Sequence, residues 1–190
     1  MTTLEFKERN IKTKKMLLWF AMISFIMVFA GLTSAYVVSK SRPDWKPLDM
    51  PIAFSISTIL ILLSSLTFLM AKRSIKKNDR EKTTIFLLST LALGLAFVYF
   101  QFAGFNDLVS HGFFPTGPTA NVNSSFLFVI AFAHLLHLAG GLIALLVVIY
   151  NHFKVKYNAS ETLGLELGGI FWHFLDFLWL YLFLFLYFFK

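Results

Sequence analysis

Between Phe171 and Phe183 the chain reads Phe-Trp-His-Phe-Leu-Asp-Phe-Leu-Trp-Leu-Tyr-Leu-Phe, which sets an imidazole, His173, and a carboxylate, Asp176, among aromatic and aliphatic side chains. An ionisable group in hydrocarbon costs at least about 2.5–3.5 kcal/mol even on permissive scales, so such residues face a protein interior and find a partner. Helical spacing puts His173 and Asp176 within reach of each other and gathers Trp172, Asp176, Trp179 and Phe183 on one face. A second candidate is His134-Leu-Leu-His137 followed by Gly140-Gly141, where two imidazoles share a helix face. Such a pair could hold hydrogen bonds, ligate a metal or haem, or relay a proton. Two histidines without a neighbouring carboxylate or a His-Glu-x-x-His arrangement are too few for a closed zinc site, and the glycines after them suit close helix packing. The expectation is therefore a pair of structural, hydrogen-bonding histidines. Glu166 reads as a helix-end carboxylate in the interfacial region.

These residues have to be positioned by membrane-spanning elements. Of 190 residues 57% are hydrophobic and only 14% charged, with 24 Phe and 4 Trp, and the mean hydropathy is +0.71. A soluble domain has no use for that much apolar surface, so the expected class is an all-α membrane protein, a five-helix bundle forming one transmembrane domain over 1–190. The expected spans are about 16–38, 51–71, 84–105, 124–150 and 165–189. The first apolar run exceeds the roughly 7–15 residues of a signal-peptide core, so it reads as a retained span. The charge run from Lys72 to Lys82 and the segment from Asn106 to Asn123 read as connections, the latter irregular and rich in turn residues.

Charge gives an orientation. The amino terminus, the loop after span two and the loop after span four carry 13 of the 17 Lys and Arg; Lys40, Arg42, Lys46 and Lys190 carry the rest. The positive-inside rule then places the amino terminus in the cytoplasm and the carboxy terminus in the periplasm. The formal charge of +7 comes without aromatic-basic interleaving, so no nucleic-acid face is expected. Cysteine is absent, which excludes disulfides, iron–sulfur clusters and thiolate-ligated metal within the chain.

Depth along each span suggests partners. Counting about 1.5 Å per residue from the cytoplasmic ends brings Asp176 near the level of His137 and Gln101 near that of His134. The expected interhelical bonds are Asp176 to His137 or His173, and Gln101 to His134. Ser64, Ser65, Thr67, Ser89, Thr90 and Gly94 in spans two and three are small or hydroxylated and argue for tight packing, not for an ion pathway.

Trp172-His-Phe-Leu-Asp176-Phe-Leu-Trp179 resembles the W-H-F-x-D-x-x-W signature of subunit III of haem-copper terminal oxidases, the cytochrome c oxidase family. His134-Leu-Leu-His137-Leu with its glycines is similar to that family's H-x-x-H-V-x-x-G run. Gly94-x-x-Phe97-x-x-x-Gln101 resembles its G-x-x-F-x-x-x-Q, Phe113-Phe-Pro-Thr-Gly117 its preceding loop, and Glu166 a family glutamate. The length matches the short bacterial form. Two positions depart: Phe25 follows Ser24 where the family often has a glutamate, and Gly104 stands where an acidic residue is usual.

The resemblance implies a non-catalytic accessory subunit of an enzyme that reduces dioxygen to water and pumps protons, located in the bacterial inner membrane. It implies haems and copper in partner subunits I and II, none in this chain, with bound phospholipid beside it and a larger respiratory supercomplex as a further partner. On this reading His134, His137, Gln101, Glu166, His173 and Asp176 form a structural polar core, while Trp172, Trp179 and Phe183 contact lipid or subunit I. The alternatives are a subunit III-like component of a quinol oxidase or nitric oxide reductase, a stand-alone transporter, or a haem-binding electron carrier.

Overall fold

In the computed structural model the described residues, 3–117, 120–158 and 162–189, form five helices: α1 (Thr3–Ser39), α2 (Ile52–Lys76), α3 (Arg80–Ser110), α4 (Val122–Phe153) and α5 (Leu163–Phe188). Each contains a stretch long and apolar enough to cross a membrane, and this is a multi-pass membrane protein. Lys190, counted above with the outer-side charges, lies outside the described residues.

The helices overrun the apolar runs at several ends. Lys72–Lys76 continues α2 and Asn106–Ser110 continues α3, although both stretches read as connections in the sequence. Lys and Arg are good helix formers, so charge ends the membrane-compatible run without ending the helix. What ends α2 is local geometry. Asn78 takes a left-handed φ of 57°, and the Asp79 side chain accepts the Lys82 backbone N–H at 3.1 Å to cap α3. At the other end of α3 the stop is Gly112 at φ 83°, a conformation that disfavours residues with a Cβ. Asn121 caps α4 by accepting from Ser124 N at 2.8 Å.

Four helices close a ring. α2 packs on α3 and α5, α3 on α4, and α4 on α5, while α1 lies outside the ring against α4 and α5. Small residues set the closest approaches. A Cβ on Gly94 would come within 2.9 Å of the Trp172 ring, one on Gly104 within 3.0 Å of Phe54, and one on Gly169 within 2.9 Å of Phe68. The outer faces of all five helices carry exposed apolar side chains such as Leu17, Ile52, Ile85, Ile143 and Phe177, a surface that suits lipid and not water.

Candidate functional site: the polar core and the α1–α5 seam

The core is built by hydroxyls on α2 that face α5 and α3. Thr58 Oγ1 donates to Phe54 O at 2.7 Å, Ser57 Oγ to Phe54 O at 2.9 Å, and Ser64 Oγ to Ile61 O at 2.7 Å. Each hydroxyl hydrogen is thereby spent on its own helix, and the oxygen lone pairs face the bundle interior as acceptors. Those acceptors are used. Trp179 Nε1 donates to Thr58 Oγ1 at 3.0 Å, Trp172 Nε1 to Ser64 Oγ at 3.0 Å, and Gln101 Nε2 to Ser57 Oγ at 2.9 Å.

This corrects two assignments. Trp172 and Trp179 are 1% and 0% exposed, so neither reaches lipid or a partner subunit; the rings are interior and their N–H groups are satisfied there. An aromatic stripe looks the same whether it packs on lipid or on another helix, because both neighbours are apolar. Phe183, by contrast, is half-buried and stacks on Tyr187.

The expected pairing of Gln101 with His134 is also replaced. Gln101 turns to Ser57, and its Oε1 has no hydrogen-bond partner among the described residues. His134 is fully buried, and neither ring nitrogen has a hydrogen-bond partner among the described residues. Its ring sits among Trp179, Phe97 and Phe29 with centroids 5.0, 6.0 and 6.4 Å away. His137 is half-buried, engages Ala133 O through Nδ1 at 2.6 Å, and meets Phe25 edge-on at 4.3 Å. The two imidazoles of α4 therefore sit in different surroundings. Among the described residues no three His, Cys, Asp or Glu side chains lie where they could hold a metal ion together.

Asp176 is 1% exposed, and neither oxygen has a hydrogen-bond partner among the described residues, so the expected bond to His137 or His173 is not made. His173 instead shares Nδ1 with Ser65 Oγ at 2.6 Å. Glu166, in the first turn of α5, accepts from Thr162 Oγ1 at 3.3 Å.

Sequence reasoning missed the acceptor role of the α2 hydroxyls. The signal was present: Trp172 and Trp179 are seven apart on α5, and their acceptors Ser64 and Thr58 are six apart on antiparallel α2. It also missed Tyr36, whose hydroxyl donates to Asn123 Oδ1 at 3.0 Å while Asn123 Nδ2 donates to Lys46 O at 3.0 Å, tying α1, α4 and the first connection together.

Two pockets line the α1–α5 seam. One of about 530 Å³ lies at its basic end, with Lys14 and Lys15 of α1 and Lys156 around Thr162, Leu163 and Gly164 at the start of α5. The Thr162 side chain makes no cap hydrogen bond to the helix. Burial pushes the nearby Tyr157 phenol up from its usual value. The other, of about 300 Å³, is an apolar groove lined by Ile26, Phe29 and Ala30 of α1 and by Phe174, Phe177 and Tyr181 of α5. Lys15 and Ile26 are eleven residues apart, as are Leu163 and Phe174. Eleven residues make about three turns and about 16 Å, so the groove continues from the basic pocket along the same faces.

Comparison with known proteins gives a match along nearly the whole chain. The family model described as cytochrome c oxidase subunit III matches residues 9–190. A cytochrome bo(3) ubiquinol oxidase subunit 3 of Buchnera aphidicola is 29% identical over 95% of this chain and 96% of that protein. A cytochrome c oxidase subunit 3 of Alkalihalophilus pseudofirmus is 28% identical over 84% of this chain and 75% of that protein. A probable cytochrome c oxidase subunit 3 of Mycobacterium leprae is 30% identical over 88% and 83%. The helices that carry the tryptophan, histidine and glutamine motifs all fall within the matched residues, and the chain belongs to the cytochrome c oxidase subunit III family.

Proposed function

We propose that this chain is the accessory third subunit of a haem-copper oxidase of a bacterial inner membrane, an enzyme that reduces dioxygen to water and translocates protons. The observation that carries this reading is the family match over residues 9–190. The catalytic centres, haem and copper, belong to subunits I and II; this chain packs beside subunit I and contributes no redox group. The polar core of Gln101, His134, His137, Glu166, His173 and Asp176 is structural, and Phe183 belongs to the surface that meets lipid or subunit I.

The α1–α5 seam supports a phospholipid. Three lysines and the uncapped start of α5 favour a phosphate, and the apolar groove about 16 Å further along suits the acyl chain. On this reading the amino terminus and the Lys-rich turns lie on the cytoplasmic side, in keeping with the positive-inside rule.

The quinol-oxidase reading stands beside the cytochrome c one, because the relative matched over 96% of its own length carries a ubiquinol oxidase name. The test is affinity purification of the tagged chain from native membranes in mild detergent, with haem spectra, subunit identification and lipid analysis of the eluate. Co-elution with a haem- and copper-bearing subunit, whose oxidase activity takes either cytochrome c or quinol, is the expected result and decides the electron donor. Recovery of the chain alone from gently solubilised membranes overturns the reading. Replacing Lys14, Lys15 and Lys156 together with Gln is expected to deplete co-purifying anionic phospholipid while the subunits still co-elute.

A further inference from the structure

His134, His137 and His173 all lie at mid-span, and the helices cover them differently. His134 is enclosed by the rings of Phe29, Phe97 and Trp179. His137 engages its own helix through Nδ1, and Phe25 of α1 meets its ring edge-on at 4.3 Å. His173 lies at an edge. It is half-buried where α5 meets α2, with the Phe68 ring centroid 5.8 Å away and Ser65 Oγ 2.6 Å from Nδ1. Its Nε2 has no hydrogen-bond partner among the described residues, and unlike the nitrogens of His134 it is not sealed inside the bundle.

Ser65 sets the tautomer. Ser57, Thr58, Ser64 and Thr67 each donate to a carbonyl of their own helix, whereas Ser65 Oγ has His173 Nδ1 as its hydrogen-bond partner among the described residues. A proton on Nδ1 would leave the Ser65 hydrogen without an acceptor. With Ser65 donating, both groups are satisfied and the imidazole proton sits on Nε2. His173 therefore presents an N–H donor at the seam. Ser65 stands thirteen residues from the start of α2 and eleven from its end, about 20 and 16 Å. That is the middle of a hydrocarbon core of about 30 Å, out of reach of lipid headgroups. One turn away on the same faces, Leu69 of α2 and Phe177 of α5 are 39% and 66% exposed. A donor among hydrocarbon is unsatisfied, and at that depth another helix is what supplies the acceptor.

We propose that the α2–α5 seam around His173 docks a membrane-spanning helix of another subunit, one that sets an oxygen acceptor against His173 Nε2. A side-chain carbonyl, hydroxyl or carboxylate at mid-depth would serve. The inference rests on the accessory-subunit reading above and adds to it a face and a point of recognition. Leu69 and Phe177 give the incoming helix a dry contact on either side of the donor, so the hydrogen bond fixes its depth and rotation.

The test uses the complete chain in native membranes, with a benzophenone side chain introduced at Leu69 or at Phe177. Illumination is expected to join both positions to another subunit of the co-eluting complex. The solubilised complex then gives the rate at which that subunit is lost. His173→Phe is expected to raise the rate about three- to thirtyfold, what one interhelical hydrogen bond is worth in a membrane. His173→Gln keeps an N–H donor and is expected to stay near the unsubstituted rate. A purely internal role for His173 would leave both rates unchanged while lowering the melting temperature of the separated chain. The inference is overturned if the complex co-elutes while Leu69 and Phe177 capture no polypeptide, whether or not lipid or a quinone is labelled, or if His173→Gln behaves as His173→Phe does. If no other subunit co-elutes with the unsubstituted chain, the accessory-subunit reading itself fails and takes this inference with it.

Discussion

Trp172 shows how one side chain can organise a membrane bundle without a hydrophobic drive between helices. Its indole comes from α5, its N–H is accepted by Ser64 of α2, and its ring lies against Gly94 of α3 and Gly141 of α4, so it meets three helices of the ring. Dispersion contacts and one interhelical hydrogen bond are what lipid cannot supply equally well. Truncation by Trp172→Ala is expected to cost about 3–5 kcal/mol, mostly from the cavity it leaves. The hydrogen bond by itself is smaller. A double-mutant cycle of Trp172→Phe with Ser64→Ala, read from unfolding of the purified protein in detergent, should give a coupling of about 0.6–2 kcal/mol. Gly94→Ala tests the ring contact from the other side. Its Cβ would meet rigid indole carbons at 2.9 and 3.2 Å, and the expected cost is about 1–3 kcal/mol because an indole has little room to yield.

Helix ends follow a different physics from helix spans. The α2–α3 turn stops one helix with a left-handed Asn78 and starts the next with Asp79, whose carboxylate also lies 2.7 Å from Lys82 Nζ. Hydrogen bonding from the Lys82 side chain, then from its backbone N–H, holds the Asp79 carboxyl below the usual carboxylate range. A lowered native value means that the ionised form is the one folding favours. Its contribution is therefore present above the unfolded-state value of about 3.9 and is lost as pH falls through the lower native one. Asp79→Asn keeps a capping side chain but no titration, so it should flatten the acid limb of thermal stability below about pH 4 while leaving the neutral-pH melting temperature nearly unchanged. This turn also marks what the sequence makes legible. The five apolar runs are readable because a span needs about 20 such residues and little else has them. The continuation of α2 through Lys72–Lys76 and of α3 through Asn106–Ser110 is not, because helix and water-exposed connection accept the same polar residues. The site is legible by residue and not by partner. Counting residues gives depth, yet Gln101 chose Ser57 over a histidine expected at its own level, since azimuth around the helix decides contact.

At the scale of the whole molecule, the ring of α2 to α5 with α1 outside it leaves nearly every outer face apolar, so orientation rests on the connections alone. Helix α1 spans 37 residues, about 55 Å against a hydrocarbon core of about 30 Å. It therefore has to leave the membrane at one end, and the positive-inside rule makes its basic first turns the end expected on the cytoplasmic side. The connections alternate accordingly: the amino terminus, the turn around Lys77 and the segment around Lys156 on one side, Arg42 and His111 on the other. The protein offers a clean way to check this, because it has no cysteine of its own. Lys12, Arg42, Lys77, His111 and Lys156 are all exposed, and each can be replaced singly by Cys and challenged in spheroplasts with a maleimide that does not cross membranes. Arg42→Cys and His111→Cys are expected to react at once. Lys12→Cys, Lys77→Cys and Lys156→Cys should react only after the membrane is permeabilised. The opposite pattern would invert the topology and would place the lysine-lined pocket of the α1–α5 seam on the periplasmic side. Labelling of neighbouring connections from the same side would mean that the helix between them does not cross, which the alternation of five spans forbids.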